Sequence, residues 1–236
     1  MDRALQALEL LGSQPLTAVQ VAAALRIDAR TSRRLLSRLT EDGWLKRSDD
    51  RTRRYSPTMR IVPLAAQVVR RDAVSGLAMP HVRAVSAELG GPAHLMAPSY
   101  HSMLCLVHDD GTMATAGLHE LVPCHASAGG KALLGWWSEW RASVLSSPLS
   151  RATSATIVDP RTVLADAAAA VIRGYATEDG ELRAGERAVA APVFDGDGAA
   201  RWALCGSVPG SRDLDRAGRL VAEHAGELTA RLAALR

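Results

Sequence analysis

Apolar residues recur at helical spacing through the first forty positions, and after that the rhythm changes. In residues 2–12, Leu5, Leu8 and Leu11 keep a three-to-four-residue interval that stops at Gly12, which predicts a first helix. Pro15 marks a turn. Thr17-Ala-Val-Gln20 has the spacing of a capping box, in which Gln20 reaches back to the Thr17 amide. The helix it opens, roughly 18–25, carries Val21, Ala22 and Leu25 on its inner side, and Arg26 to Ala29 form a tight turn. The stretch from Asp28 to Gly43 then reads as a two-faced helix. At 100° per residue, Ser32, Leu35, Leu36 and Leu39 share one side, while Arg30, Arg33, Arg34, Ser37 and Arg38 fall on or near the other. Asp28 suits the N-cap and Gly43 the glycine position that ends a helix. Helix, helix, short turn, helix is the helix-turn-helix arrangement, with the last helix in the recognition position.

Beyond Gly43 the chemistry stays basic but the period shortens. Trp44–Arg47 and Arg53–Ser56 predict two short strands joined by a polar turn at Asp49-Asp50. Such a hairpin is a wing, whose Arg51, Arg53 and Arg54 can reach flanking phosphates or a minor groove; for each arginine the alternative is a solvated charged loop.

From about Pro63 helical patterning returns, with breaks predicted at Gly76 and Pro80, so a linker helix is expected before a second helix over roughly 77–89. After Gly90-Gly91-Pro92, the segments around His94–Pro98 and Met103–Asp110 predict a hairpin turning at Ser99-Tyr100-His101, and residues 111–115 a third strand. His125-Ala-Ser-Ala-Gly-Gly-Lys-Ala-Leu-Leu leads into a helix, and an alanine-rich helix spans roughly 160–173. Arg187–Asp195 and Ala199–Ser207 flank Gly196-Asp197-Gly198, a strong hairpin signal. The last helix, about 212–234, aligns Leu214, Ala217, Leu220, Val221, His224, Leu228 and Leu232 on one stripe. Helices around several hairpins give an α+β domain.

Charge distribution sharpens this division. Residues 1–60 carry twelve Lys and Arg against seven Asp and Glu, whereas the remainder carries sixteen against eighteen. A small basic module joined to a larger domain with another task is the natural reading, and duplex DNA is the polyanion that suits the module. The three cysteines, Cys105, Cys124 and Cys205, are odd in number and widely spaced, which argues for free thiols in a cytoplasmic protein. No run of about 18 or more apolar residues predicts a membrane span.

Several other residues invite chemistry. Cys124-His125 lacks the paired spacing of a zinc site, Lys131 lacks the preceding spacing of a phosphate loop, and the acids Glu178, Asp179, Glu181 and Glu186 read as a solvated charge run. His94, His101, His108 and His119 recur in the first half of the second domain, either lining a cavity or scattered and half-buried. No nucleophile–base set emerges, so no catalytic residue, cofactor or metal is expected.

Three segments in order carry a resemblance: PLTAVQVAAALRIDARTSRRLLSRLTEDGWLKR, HASAGGKALLG and GYATEDGELRAGERAVAAPVFDGDG. Along nearly its whole length the chain resembles the IclR family of bacterial transcription regulators. That resemblance implies an N-terminal winged helix-turn-helix over 1–60, a linker helix over 61–76 and a GAF-like effector-binding domain over 77–236. It also implies a homodimer or homotetramer on a partly palindromic operator in double-stranded DNA. The implied DNA-reading positions are Arg30, Thr31, Arg33, Arg34 and Arg38, with Ser37 beside them. The implied effector-binding positions are Ala128 and Gly129 at a helix start, and Glu178 or Asp179, Ala188, Cys205 and Ser207 on the opposite wall. Ala188 stands where some members have cysteine, and Cys205-Gly206-Ser207 where Ser-x-Ser is common. The lost hydroxyl argues against a very polar acid such as glyoxylate or pyruvate. Trp136, Trp137, Trp140 and Trp202 are read as core or interface, with an aromatic effector as the alternative. The competing functional class is an enzyme or ligand-binding protein built on the C-terminal α+β domain, with the N-terminal domain as a tether.

Overall fold

The computed structural model describes residues 3–64, 67, 74–109 and 121–235. These fall into two compact units, residues 1–72 and 73–236, each with its own core.

The first unit is three helices and a hairpin: α1 (Arg3–Ser13), α2 (Ala18–Leu25), α3 (Ala29–Glu41), β1 (Leu45–Arg47) and β2 (Tyr55–Pro57). Local signals set each boundary. Thr17 caps α2 through a complete capping box with Gln20. Asp28 caps α3 by accepting from the amides of Arg30 (3.0 Å) and Thr31 (2.9 Å). Past α3, Gly43 takes φ 76°. Its amide donates to Thr40 and that of Trp44 to Leu39, the crossed pair of bonds that closes a Schellman motif. Ala7, Leu11, Leu16, Val21, Leu36, Leu39, Leu45 and Tyr55 form the core, and the buried Ser32 hydroxyl donates to the Ala18 carbonyl (2.8 Å).

The second unit is built on α4 (Val74–Leu89), β3 (Ala93–Ser99), β4 (Ser102–His108), β5 (Val122–Pro123), a 3₁₀ turn (Cys124–Ala126), α5 (Ala128–Leu134), α6 (Ser138–Leu145), α7 (Pro160–Arg173), β6 (Ala176–Asp179), β7 (Arg187–Phe194), β8 (Ala200–Ser207) and α8 (Leu214–Ala233). Its six described strands form one antiparallel sheet in the order β5-β4-β3-β8-β7-β6.

Strand alternation gives this sheet two working faces. Leu95, Val189, Ala191, Val193 and Leu204 pack against Ala78, Val82 and Val85 of α4 and against Val221, Ala225 and Leu228 of α8. On the other face Met96, Met103, Ala190, Ala203 and Cys205 meet Ala132 and Leu133 of α5 and Val163 and Ala167 of α7. The mixed α+β expectation therefore holds, with helices covering both faces of a mostly hairpin-built sheet.

Several elements differ from the sequence pattern. Gly76 and Pro80 do not break α4. The bond Pro80 cannot make would go to Gly76, so the crowded turn contains the least restricted backbone, and the buried stripe Val74, Ala78, Val82, Val85, Leu89 outweighs the local cost. β5 and β6 are too short to show a period. The helix expected after His125 is divided into α5 and α6. Residues 61–64 are helical, while most of the expected linker, the third strand at 111–115 and His119 lie outside the described residues.

The Gly129-Gly130 pair shows how closely α5 is set down. A Cβ at Gly130 would lie 2.1 Å from the Cys124 carbonyl oxygen, which is backbone and cannot move aside. Gly130→Ala is expected to destabilise the second unit by about 2 kcal/mol or more. Gly226→Ala, on the exposed side of α8 with nothing within 4 Å, is expected to be neutral or stabilising by up to about 1 kcal/mol. Chemical denaturation of both variants checks this; equal effects would contradict the packing described.

Candidate functional site

On α3 the arginine side is a surface. Arg30, Arg33, Arg34, Ser37 and Arg38 are exposed, spread over roughly 140° of the helix circumference, while Leu36 and Leu39 are buried on the opposite side. Thr31 is half-buried and its amide donates to the Asp28 cap (2.9 Å); bonding from Thr31 is the main influence holding the Asp28 carboxyl below its ordinary value. It therefore stiffens the start of α3.

The wing is likewise preorganised. Its turn is gathered around Asp50, whose carboxylate accepts from the Ser48 and Thr52 hydroxyls and from the Thr52 and Arg53 amides. Those hydroxyls hold its pKa down. Arg51 and Arg53 project into solvent, and Arg53 adopts φ 48°. Arg54 does something different: its guanidinium donates to the Pro15 carbonyl (2.9 Å), beside the bridge that pairs Leu16 with Tyr55. It ties wing to bundle. Arg60, which the sequence pattern did not single out, stacks over the Trp44 ring at 4.6 Å and donates to the Asp42 carbonyl.

In the second unit a cavity of about 260 Å³ opens between the start of α5 and one face of the sheet. Ala128, Gly129, Glu178, Ala188, Cys205 and Ser207 all line it. Asp179 does not: one step along β6 from Glu178, it points outward and sits 3.5 Å from Arg187 Nε. Sequence reasoning left Met96, Cys105, Val122, Leu182, Arg183 and Arg187 out of the lining. Period-2 alternation on β3 and β8 explains part of it, since His94 and Met96 point to the same side as Cys205 and Ser207.

His94 and His108 do line the cavity, directly paired across β3 and β4, with rings stacked at 6.2 Å. Burial, aided by the neighbouring His108, lowers the His94 pKa to about 4, so the ring is neutral at physiological pH. His101 is elsewhere, stacked on Tyr100 and bonded to Ser143. Burial raises the Cys205 thiol, so it presents sulfur rather than thiolate. The tryptophans are absent from the lining. Trp140 is buried in the core and Trp137 packs beside it, while Trp136 lies against Phe194.

Of the four acids expected to be solvated, Asp179 and Glu186 are exposed, whereas the other two are structural. Glu178 and Glu181 are buried, and burial raises both carboxyls above their ordinary range. Glu178 accepts from the Leu182 amide (2.8 Å). Glu181 accepts from the Lys131 ammonium (2.6 Å), which also meets Asp166 (2.8 Å) while only 1 % exposed. The Thr153 and Thr156 hydroxyls donate to the carbonyls of Gly180 and Glu181. The cavity wall after β6 is thus pinned to α5, α7 and the loop before α7. Cys124 and His125 stay apart chemically: the thiol is buried and pushed up to about 12, and the His125 ring bonds the Ser150 carbonyl (2.9 Å).

Comparison with known proteins agrees with this layout. The family described as bacterial transcriptional regulator IclR, C-terminal, matches residues 66–230. The chain is 28% identical over 228 residues to the HTH-type transcriptional regulator BhcR of Paracoccus denitrificans, covering 91% of this chain and 79% of that protein. Among solved structures, a putative IclR transcriptional regulator from a Silicibacter species superposes with a TM-score of 0.81 at 24% identity, over 98% of this chain and 95% of that one. An IclR homologue from Microbacterium hydrocarbonoxydans, complexed with 4-hydroxybenzoate, superposes with a TM-score of 0.70 at 24% identity, over 98% of each chain. With the family match spanning well over half its length, the chain belongs to the IclR family of bacterial transcriptional regulators.

Proposed function

We propose that this regulator reads a partly palindromic operator in double-stranded DNA through α3, as a homodimer or tetramer, and that a small organic acid in the cavity controls binding. The observation that carries the first half is the arginine face: four exposed guanidinium groups on a helix whose other side is fixed by Leu36 and Leu39. Arg30, Arg33 and Arg34, near the helix start, suit bidentate contacts to guanine edges, while Ser37, Arg38, Arg51 and Arg53 suit phosphates. Arg54 and Thr31 act through positioning. In a dimer the two copies of α3 would sit about 34 Å apart along the duplex or a multiple of it.

For the effector, apolar Met96, Val122, Leu182, Ala188 and Cys205 supply the walls, and Arg183 and the first amides of α5 supply positive potential for a carboxylate. The cavity is smaller than the roughly 300–1,000 Å³ of drug-sized sites, which suits a single-ring or short aliphatic acid. The relative bound to 4-hydroxybenzoate supports an aromatic acid over glyoxylate or pyruvate. Effector binding would bias two arrangements of the regulator that differ in operator affinity.

Two measurements test these halves separately. Fluorescence anisotropy across a salt series should show duplex affinity falling steeply as salt rises. Arg33→Ala and Arg34→Ala should each cost about 1–3 kcal/mol of specific binding, whereas Arg51→Ala should weaken all sequences alike and reduce the salt slope by about 1. A folded protein with no salt-sensitive duplex binding refutes the reading. In a thermal-shift panel, 4-hydroxybenzoate and benzoate should raise the melting temperature more than pyruvate or glyoxylate, and Ala188→Leu should erase the shift while leaving DNA binding intact. A shift that survives Ala188→Leu places the ligand elsewhere.

A further inference from the structure

On the face of the sheet opposite the cavity, α4 and α8 bring three ligating atoms together. His81 Nδ1 lies 3.4 Å from His224 Nδ1 and 3.5 Å from Glu227 Oε2, and the latter two atoms are 3.9 Å apart. We propose that His81, His224 and Glu227 form a binding site for a divalent transition metal of the zinc class, joining α4 to α8.

The spacing fits the chemistry. Zinc binds imidazole nitrogen and carboxylate oxygen at about 2.0–2.2 Å in a tetrahedron, whose corners are then about 3.3–3.6 Å apart. Two of the three separations here fall in or at the edge of that range, and the third needs only a small rotation of the exposed Glu227 side chain. His224 and Glu227 stand three residues apart on α8 and so share one face, while His81 meets them from α4.

The surroundings prepare the histidines. His224 Nε2 lies 3.1 Å from Glu88 Oε1, so its proton belongs on Nε2 and the Nδ1 lone pair faces the cluster. That is the carboxylate–histidine support typical of metal ligands. His81 is 4 % exposed and held on α4 between Ala78 and Val82 of the core. Its Nδ1 is the ring nitrogen that faces His224 and Glu227, while its Nε2 meets no partner among the described residues. Arg231 supplies an opposing charge near the group, and the Glu88 and Glu227 carboxylates outnumber it. The half-exposed side of Glu227 leaves a fourth position open to water, and the two-nitrogen, one-oxygen set excludes the soft-metal preference of a thiolate site.

Full-length protein stripped with a chelator and titrated with Zn²⁺ should bind one equivalent at this site, and Co²⁺ should give the visible absorption of a tetrahedral N/O site. His224→Asn should weaken that binding about a hundredfold and Glu88→Gln about tenfold, with circular dichroism confirming that both remain folded. Zn²⁺ should also raise the melting temperature of the wild type and not of His224→Asn. A folded wild type that binds no Zn²⁺ overturns the assignment, as does Zn²⁺ binding unchanged by both His224→Asn and Glu227→Gln, which would put the metal elsewhere.

Discussion

An ammonium group with almost no contact with solvent holds the second unit's cavity in shape. Lys131 leaves α5 and ends between Glu181, on the wall after β6, and Asp166 on α7. Such a charge is tolerated only because two carboxylates meet it at hydrogen-bond distance. Removing one partner from a buried pair typically costs about 3–5 kcal/mol, while an apolar set of the same shape can be as stable. Its value here is therefore geometric. It fixes three elements that share no strand pairing, and the wall residues Leu182 and Arg183 follow from where Glu181 is held.

The sheet divides labour around that anchor. One side of β3, β7 and β8 is committed to the core under α4 and α8, and the other faces α5 and the cavity. Gly129 lets the start of α5 lie almost on Cys205, since a Cβ there would come within 2.9 Å of its sulfur. The cavity is thus bounded by backbone on one side and strand side chains on the other, which limits its size. The first unit solves a different problem. The arginine side of α3 is exposed, and caps and a Schellman closure hold the helix while the Arg54–Pro15 tie holds the wing.

Local signals made the first unit readable. The capping box at Thr17, the Asp28 cap, Gly43 and the leucine stripe of α3 all lie within one or two turns of what they determine, as does the hairpin at Gly196-Asp197-Gly198. Six residues of the cavity were reached only through family resemblance, and alternation then separated Glu178 from its neighbour Asp179. What stayed hidden is long-range. Lys131 and Glu181 are 50 residues apart, so nothing near Glu181 distinguishes it from a solvated loop acid. His81 and His224 are separated by 143 positions, and their meeting depends on α4 running through Gly76 and Pro80 as one helix. β6 has four residues, too few for a period.

The central claim is that the cavity and the arginine face of α3 are coupled in free energy. Linkage makes that measurable with one purified protein, a duplex recovered by selection from random sequences, and the acid that gives the largest thermal shift. Duplex affinity is measured with and without saturating acid, and acid affinity with and without saturating duplex. The account predicts the same factor in both directions, on the order of 5- to 150-fold. Tight binding of both ligands with a factor of one in each direction would contradict it.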